Sequence, residues 1–232
     1  MEKQKYAAIV LAAGSGKRMN SQVHKQYLII QDRPVLYYSL KAFEDSAVDE
    51  IVLVVGKGEE EFCRKEIVDK YGISKVKAIV EGGKERYHSV FEGLKQTSDA
   101  DYVLIHDGAR PFVNQDIIRR CMQEVQKYQA CVVGMPVKDT IKIADEEGYA
   151  KQTPDRKNVW MIQTPQTFSY ALIYEAYEEM LKTEDDAITD DAMVLERTKG
   201  KKSKLIEGSY RNIKITTPED LLIANVYLQH PE

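Results

Sequence analysis

The residues best suited to chemistry lie in a glycine-rich turn, LAAGSGKRM at positions 11–19, which follows the first apolar run of the chain. Glycine has no Cβ, so backbone N–H groups in such a turn can approach phosphate oxygens closely. Lys17, Arg18 and, farther on, Lys25 add positive charge that suits a highly charged anion such as a nucleoside triphosphate. The turn matches neither the GxxxxGKS/T nor the GxGxxG fingerprint, so a simple turn followed by solvated charges stays open as the alternative.

A second glycine turn, Gly82-Gly83, follows the third predicted strand and precedes Ser89. In open α/β sheets the ligand crevice lies beyond the carboxyl ends of the strands, so both glycine turns are predicted to reach the same cleft. Ser89 could bond a ligand there, and capping of the following helix is an equally good interpretation.

The fourth predicted strand runs into HDGARP at positions 106–111, which brings one carboxylate and one guanidinium to the same rim. Asp107 is a candidate metal ligand or acceptor for a substrate hydroxyl, and Arg110 could fork onto a phosphate. A salt bridge between the two side chains that only braces the loop is the competing interpretation.

Weaker polar motifs occur in the second half of the chain. Lys214 lies in a late β-prone run, where alternation puts it on the face opposite Ile213 and Ile215, toward solvent or toward the cleft. Polar donors in non-helical surroundings are supplied by Val137–Thr140, Pro154–Arg156, Gln163–Gln166 and Ile188–Asp191.

The elements that must position these residues alternate between short apolar runs and helical patterns. The predicted strands are Tyr6–Leu11, Glu50–Val55, Val76–Val80, Tyr102–His106, Cys131–Val137, Lys204–Glu207 and Asn212–Thr216. Consecutive apolar residues within a strand are typical of strands buried on both faces. Helices are predicted over Asn114–Tyr128, with Asn114 as N-cap, and from Thr217 onward. The alternation predicts a doubly wound, mostly parallel, Rossmann-like α/β fold.

Segment Lys138–Asn158 breaks this rhythm, because it is polar and has a turn at Asp145–Gly148 but no helical face. It is predicted to be a hairpin that projects from the sheet. Without a linker or repeat elsewhere, the sequence predicts a single domain over 1–232 with a protruding β-arm at 138–158.

Composition narrows the class of protein. With 33 basic and 37 acidic side chains the net charge is −4, so general binding to nucleic acid or to acidic membranes is not expected. No apolar run approaches the ~18 residues of a membrane helix, and the apolar Tyr6–Ala13 fits a buried strand better than a signal peptide. Three cysteines without a CxxC motif indicate reduced thiols, as in a cytoplasmic protein.

Taken in order, these motifs resemble the 2-C-methyl-D-erythritol 4-phosphate cytidylyltransferase family along essentially the whole chain. Each motif is weak alone, but their order and combination are specific. The matching motifs are LAAGSGKRM (11–19), KQY (25–27), the turn with Gly82-Gly83, Glu85-Arg86 and Ser89, HDGARP (106–111), VKDT (137–140), DR (155–156), QTPQ (163–166), ITDD (188–191) and NIKITTPED (212–220).

The resemblance implies a nucleotidyltransferase that joins CTP to 2-C-methyl-D-erythritol 4-phosphate (methylerythritol phosphate), with Mg²⁺ and release of pyrophosphate. It also implies a homodimer in which the 138–158 arm reaches into the partner's active site. The nucleophile is a phosphate monoester that is already ionised near neutral pH, so this chemistry needs placed cations rather than a catalytic base. That requirement suits a chain without a Ser/His/Asp set.

Site residues follow from the resemblance position by position. Arg18 and Lys25 would stabilise the transition state, while Lys214 and the partner's Arg156 would position the methylerythritol phosphate. The CTP site would be lined by Ala12, Ala13, Gly14, Gly16, Gly82, Gly83 and Ser89. The polyol would be held by Asp107, Arg110 and Thr189, with Thr140 and Thr164 from the partner's arm region. Mg²⁺ would lie mainly on the CTP phosphates, with Asp107 as the candidate protein ligand.

One position departs from the family pattern. Lys84 stands where the family usually has an aspartate that helps to read the base, and a lysine cannot accept a hydrogen bond from the cytosine amino group. Two alternative functions stay open: a ribitol 5-phosphate cytidylyltransferase, and a nucleotide-binding regulatory module without turnover. Cations expected on both sides of the α-phosphate, Lys25 and Lys214, argue against the pure binder.

Overall fold

Strands and helices alternate along the chain in the computed structural model, which describes residues 3–14, 24–182 and 187–230. The strands are β1 (Tyr6–Ala12), β2 (Ile29–Ile30), β3 (Arg33–Pro34), β4 (Glu50–Val55), β5 (Val76–Glu81), β6 (Tyr102–Asp107), β7 (Ala130–Pro136), β8 (Ile143–Ala144), β9 (Ala150–Gln152), β10 (Trp160–Ser169) and β11 (Lys204–Glu207). The α-helices are α1 (Val35–Glu44), α2 (Glu60–Cys63), α3 (Arg86–Leu94), α4 (Gln115–Tyr128), α5 (Tyr170–Met180), α6 (Asp191–Lys199) and α7 (Pro218–Gln229). Single 3₁₀ turns occur at Lys25–Tyr27 and Arg156–Asn158, and α2 continues as a π-helix over Arg64–Asp69.

Seven strands form one sheet in the order β11-β7-β10-β6-β1-β4-β5. Its strand pairs are parallel except those of β10, which lies antiparallel to both β6 and β7. Along β1, Ala8 and Val10 pack with α1 and α4 on one face, whereas Ala7 and Ile9 pack with α3 and α5 on the other. Both faces are therefore covered, and the predicted doubly wound, mostly parallel fold is confirmed.

Six of the seven predicted strands coincide with observed strands to within one residue at each end. The helix prediction at Asn114 also holds, since its side-chain oxygen accepts a hydrogen bond of 3.0 Å from Ile117 N. Helix α7 begins after Thr217, where the Asp220 carboxylate accepts from the backbone N–H of Thr216 and of Thr217, each at 2.8 Å.

The predicted strand at Asn212–Thr216 is wrong. The segment is extended, but it pairs with no strand in the described part of the chain. It crosses the carboxyl end of the sheet instead of extending an edge, and a hydrogen bond of 2.8 Å from Ile215 N to Ala109 O fixes it to the loop after β6. Ile215 is fully buried, which explains why the run carries the pattern of a strand.

Strand β10 was missed because it contains Pro165 and several polar residues, a composition that argues against an interior strand. Gln163, Thr164, Gln166 and Thr167 are nevertheless buried. Three of these side chains make hydrogen bonds to other parts of the site, which is what allows them to lie there.

Between β7 and β10, strands β8 and β9 pair antiparallel and form the predicted hairpin. Its turn is closed by a hydrogen bond of 3.2 Å from Gly148 N to Asp145 O, with Gly148 at a φ of +89°. Residues 138–153 are exposed throughout.

Cys63, Cys121 and Cys131 are buried and unbridged. Within the residues described, no helix combines the length and apolar character needed to cross a membrane.

Candidate active site

A cavity of about 370 Å³ opens at the carboxyl ends of β1, β5 and β6. Both glycine turns reach it, as the position of ligand crevices in α/β sheets predicts. It is lined by Leu11, Ala12, Ala13, Gly14, Lys25, Gln26, Gly83, Lys84, Glu85, Arg86, Ser89, Asp107, Ala109 and Lys214.

The two glycine turns pack directly on each other. A Cβ built on Gly82 would lie 2.6 Å from the Cβ of Ala13 and 2.7 Å from Ser89 Oγ, so position 82 has room only for glycine. Ser89 Oγ accepts a hydrogen bond of 3.1 Å from Gly83 N and donates to Glu85 O at 3.2 Å. Ser89 thus holds the second turn against the start of α3 and lines the cavity as well.

A second, smaller cavity of about 240 Å³ adjoins the first. The two share Arg86, Asp107 and Lys214, which therefore stand at their junction. The smaller cavity is otherwise lined by Arg110, Ile162, Gln163, Thr164, Gln166, Thr189 and Asp190.

Asp107 is the anionic centre of this junction. Lys214 Nζ lies 2.8 Å from its Oδ2, Arg110 Nε lies 3.7 Å from the same oxygen, and Arg86 Nε lies 3.4 Å from its Oδ1. Burial alone would raise the pKa of Asp107, but the charges of Lys214, Arg86 and Arg110 outweigh it and hold that pKa well below the usual range. Asp107 is ionised at neutral pH and holds Lys214 and Arg86 at the junction of the two cavities and Arg110 on the wall of the smaller one.

The surroundings of Asp107 do not fit a direct metal ligand, because both of its oxygens face cationic side chains. In the described segments there is also no group of three or more His, Cys, Asp or Glu side chains that could hold an ion. A metal at this site would need its ligands from the bound nucleotide.

Arg86 connects the junction to the helix α6. Its Nη1 and Nη2 each lie 2.8 Å from an oxygen of Asp191, which is fully buried, and Tyr177 Oη donates to the same carboxylate at 2.5 Å. Burial would lower the pKa of Arg86, but Asp191 and Asp107 raise it well above its usual value, so the guanidinium is always charged. Arg86 belongs to one of the motifs that match the family, but the sequence alone predicts no role for it. The available signal is a cation three residues after a glycine turn, similar to the cations that follow the turn at 11–19.

Lys214 faces the cleft and not solvent, which decides between the two orientations that the sequence allowed. The backbone bond from Ile215 to Ala109 carries the segment across the end of β6, and Lys214 Nζ then reaches Asp107. Asn212 fixes the same segment from the other side, because its Nδ2 donates to Thr164 O at 2.9 Å.

His106 supports this arrangement from below. Its Nδ1 lies 3.0 Å from Thr164 Oγ1 and its Nε2 lies 3.2 Å from Arg110 O. Thr164 Oγ1 in turn accepts a hydrogen bond of 3.1 Å from Asp107 N. The imidazole is fully buried, and this burial lowers the pKa of His106 from 6.5 to about 4.

The lowered pKa of His106 predicts a pH dependence of stability. An unfolded chain binds a proton at this imidazole below pH 6.5, whereas the folded chain does not until pH is about 4. The contribution of this group to the free energy of unfolding is therefore complete above pH 6.5. It is lost as the pH falls from 6.5 to about 4, by about 3 kcal/mol in total. Urea unfolding between pH 7 and pH 4 should give a clearly flatter profile for His106→Gln than for the wild type. His230→Gln, at the exposed end of α7, controls for loss of an imidazole, and equal profiles for wild type and His106→Gln would contradict the assignment.

The arm residues lie apart from these cavities. Arg156 and Thr140 are exposed, and Arg156 Nη1 donates to Lys138 O at 2.9 Å, at the base of the arm. Thr164, expected to act from the partner's arm region, instead lines the smaller cavity of its own chain, because it belongs to β10 and not to the arm. Thr189 lines that cavity too. Arg18 and Gly16 lie outside the described residues.

A sequence model of the IspD family, described as 2-C-methyl-D-erythritol 4-phosphate cytidylyltransferase, matches residues 6–230. The chain belongs to this family. Curated members of the family from Lachnospira eligens and Lachnoclostridium phytofermentans, both named 2-C-methyl-D-erythritol 4-phosphate cytidylyltransferase, are 54% and 50% identical to it. The first alignment covers 96% of this chain and 98% of the relative, and the second covers 97% of each.

Solved structures of the family agree with the fold. The 4-diphosphocytidyl-2C-methyl-D-erythritol synthase of Anaerococcus prevotii superposes with a TM-score of 0.86 at 38% identity, over 98% of this chain and 97% of that one. The Thermus thermophilus 2-C-methyl-D-erythritol 4-phosphate cytidylyltransferase gives a TM-score of 0.77 at 30% identity, over 95% and 98%. The family expected from the motifs is therefore confirmed.

Proposed function

We propose that this protein transfers CMP from CTP to 2-C-methyl-D-erythritol 4-phosphate and releases pyrophosphate, in the isoprenoid precursor pathway that uses this polyol phosphate. A phosphate oxygen of the acceptor forms a bond to the α-phosphorus of CTP, and the bond from that phosphorus to the α,β-bridging oxygen breaks. Family membership supports the reaction. The structural observation that carries it is the pair of adjoining cavities with Arg86 and Lys214 at their junction.

In this proposal the larger, glycine-walled cavity takes CTP and the smaller, polar one takes the polyol. The CTP residues are Ala12, Ala13, Gly14, Gly16, Gly82, Gly83 and Ser89. Asp107, Arg110, Thr164 and Thr189 hold the polyol, and Lys214 holds its phosphate. Arg18 and Lys25 act on the triphosphate.

The arrangement is suited to a reaction between two anions. The attacking phosphate monoester has a second pKa of about 6, so it needs no base to become a nucleophile. Its difficulty is repulsion from the triphosphate, and fixed cations in a partly enclosed site lower that barrier without reorganisation. Mg²⁺, bound mainly through the CTP phosphates, supplies further charge neutralisation on the leaving pyrophosphate.

Pyrophosphate release from CTP with Mg²⁺ tests the function, with methylerythritol phosphate, ribitol 5-phosphate and no acceptor compared in parallel. Release with the first acceptor alone is expected. Pyrophosphate release with ribitol 5-phosphate alone would mean the same reaction with a different acceptor. No release under any of the three conditions would favour a nucleotide-binding module without turnover. UTP and ATP in place of CTP test Lys84, which is exposed on the wall of the larger cavity.

We also propose that two copies assemble through the 138–158 arm, so that Arg156 completes the partner's site. Apolar side chains are exposed on the arm and at the adjoining start of β10, where a second copy could cover them: Ile141, Ile143, Tyr149, Met161 and Ile162. Several exposed apolar side chains in one polar segment and the strand that follows it are typical of an interface.

Arg156→Ala is expected mainly to raise the KM for the polyol phosphate. Co-expression of Arg156→Ala with Lys25→Ala should then restore activity, since one site of each mixed dimer keeps its own Lys25 and the partner's Arg156. At an acceptor concentration far below the raised KM, where sites without Arg156 are nearly inactive, random pairing of the two chains in a symmetric dimer predicts about a quarter of the wild-type rate. A mixed preparation no more active than the separate variants would contradict a shared site.

A further inference from the structure

The lysine proposed to act on the triphosphate is carried by a very short element. Lys25 belongs to a single 3₁₀ turn, Lys25–Tyr27, whose own hydrogen bonds are Tyr27 N to His24 O at 2.9 Å and Leu28 N to Lys25 O at 3.4 Å. One turn of 3₁₀ helix has too few internal bonds to fix its orientation, so contacts from outside must do so.

Two sets of contacts fix the Lys25 turn: a hydrogen bond from Gln26 to the end of β1, and contacts to the carboxylate of Glu59. The buried Gln26 donates its side-chain amide to Ala12 O, at the end of β1. On the two flanks of this turn, Tyr27 Oη donates to Glu59 Oε2 at 2.7 Å and His24 Nδ1 lies 2.7 Å from Glu59 Oε1. Glu59 therefore contacts both sides of Lys25: one oxygen accepts the hydrogen bond from Tyr27, and the other lies in close contact with the His24 ring.

Glu59 is itself fixed to the central sheet. It ends the turn that follows β4, where Gly56 N donates to its Oε2 at 3.0 Å and its own N–H donates to Gly56 O at 3.0 Å. A Cβ on Gly56 would lie 2.7 Å from Glu59 Oε2, so the carboxylate lies directly over that glycine. Its side chain is only 19% exposed.

The phenol of Tyr27 stays able to donate its hydrogen bond to Glu59. Burial, together with the neighbouring Cys63 thiol and Glu59, raises the pKa of the Tyr27 phenol, so it stays protonated. Its ring also packs edge-on against Phe62, with centroids 5.1 Å apart, which anchors it to α2.

We propose that Glu59 is a positioning residue for Lys25: it lies outside both cavities and ties the two flanks of the Lys25 turn to the end of β4. The inference rests on the proposed function, in which Lys25 stabilises the transition state. A displacement of about 1 Å in such a group can lower turnover ~100-fold, so the loss of Glu59 should reduce kcat rather than only raise KM.

The test compares Glu59→Ala, Glu59→Gln and the neighbouring Glu61→Ala. Glu59→Ala is expected to lower kcat about 10- to 100-fold, and Glu59→Gln should recover much of it because the amide keeps one accepting oxygen. Glu61 is exposed and pairs with Lys65 one turn away, so its replacement should leave kcat within about twofold. Equal kcat in Glu59→Ala and Glu61→Ala would overturn the proposal.

A double-mutant cycle separates positioning from a general loss of folding. In a Lys25→Ala background, Glu59→Ala should lower kcat by less than about twofold, because the group that it positions is already absent. A further loss as large as in the wild-type background would mean that Glu59 acts elsewhere, and would overturn the proposal.

A readout without turnover keeps this test distinct from that of the proposed function. The rate of reductive methylation of Lys25, followed by mass spectrometry, should change several-fold in Glu59→Ala and stay constant in Glu61→Ala. If the wild type releases no pyrophosphate, the proposed function fails, and the methylation rates still decide whether Glu59 fixes Lys25. Unchanged methylation in Glu59→Ala would overturn the positioning role even if the wild type is active.

Discussion

Lys25→Ala is expected to lower kcat for CMP transfer about 100-fold or more, which corresponds to the loss of one fixed donor for transition-state charge. The side chain lines the larger cavity together with Lys214 and Asp107, and its turn is held by Gln26, Tyr27 and Glu59. Such a group costs no reorganisation when charge develops on the triphosphate, so its removal should affect kcat more than KM for CTP.

Steady-state pyrophosphate release at saturating CTP and acceptor gives the measurement. Lys70→Ala is the matched control, because Lys70 is a half-exposed lysine that pairs with Glu66 on the surface. Lys25→Arg should lie between wild type and alanine, since it keeps the charge but not the shape of the ammonium. A Lys25→Ala enzyme with near wild-type kcat would refute the role given to this residue.

Asp191→Ala is expected to lower the free energy of unfolding by about 3–5 kcal/mol, the largest effect on stability among the site residues. The carboxylate is fully buried, makes two hydrogen bonds of 2.8 Å to Arg86 and accepts from Tyr177. Its removal leaves a guanidinium without its main counter-ion and a buried phenol without its acceptor. Denaturant unfolding measures the change, and Asp116→Ala, which breaks an exposed pair with Arg119, should cost less than about 1 kcal/mol.

A double variant distinguishes the structural from the functional part of this pair. Replacing both partners, as Arg86→Met with Asp191→Leu, removes the unpaired charge and should recover much of the lost stability. Activity should not return, because Arg86 lines both cavities and its charge is lost. Recovery of turnover together with stability would show that Arg86 only braces the fold.

Local sequence patterns were sufficient for the parts of the fold that are stabilised locally. Apolar runs such as Ile51–Val55 are buried on both faces and can be recognised without their partners. The meeting of the two glycine turns could also be predicted, because it follows from a general property of parallel sheets.

What could not be predicted depends on contacts between distant segments. Arg86 and Asp191 are 105 residues apart in the chain, and no local sequence pattern predicts that they form an ion pair. The run at Asn212–Thr216 looks like a strand because Ile215 is buried, although it packs with Ile30, Val35 and Ala224 and not within a sheet. Strand β10 has polar side chains that only the completed site can satisfy, so its sequence resembles a loop until its neighbours are known.

The antiparallel β10 has a consequence for synthesis of the chain. Strand β6, which carries His106 and Asp107 to the site, pairs with β1 on one side and with β10 on the other. While the ribosome has yet to release β10, the far edge of β6 presents unpaired N–H and C=O groups, the kind of edge that recruits foreign strands. Thr164 and Lys214 hold Asp107 in place. Thr164 emerges as part of β10, and Lys214 emerges after it. Synthesis therefore includes a period, before the arm and β10 emerge, in which this edge of β6 is open to aggregation.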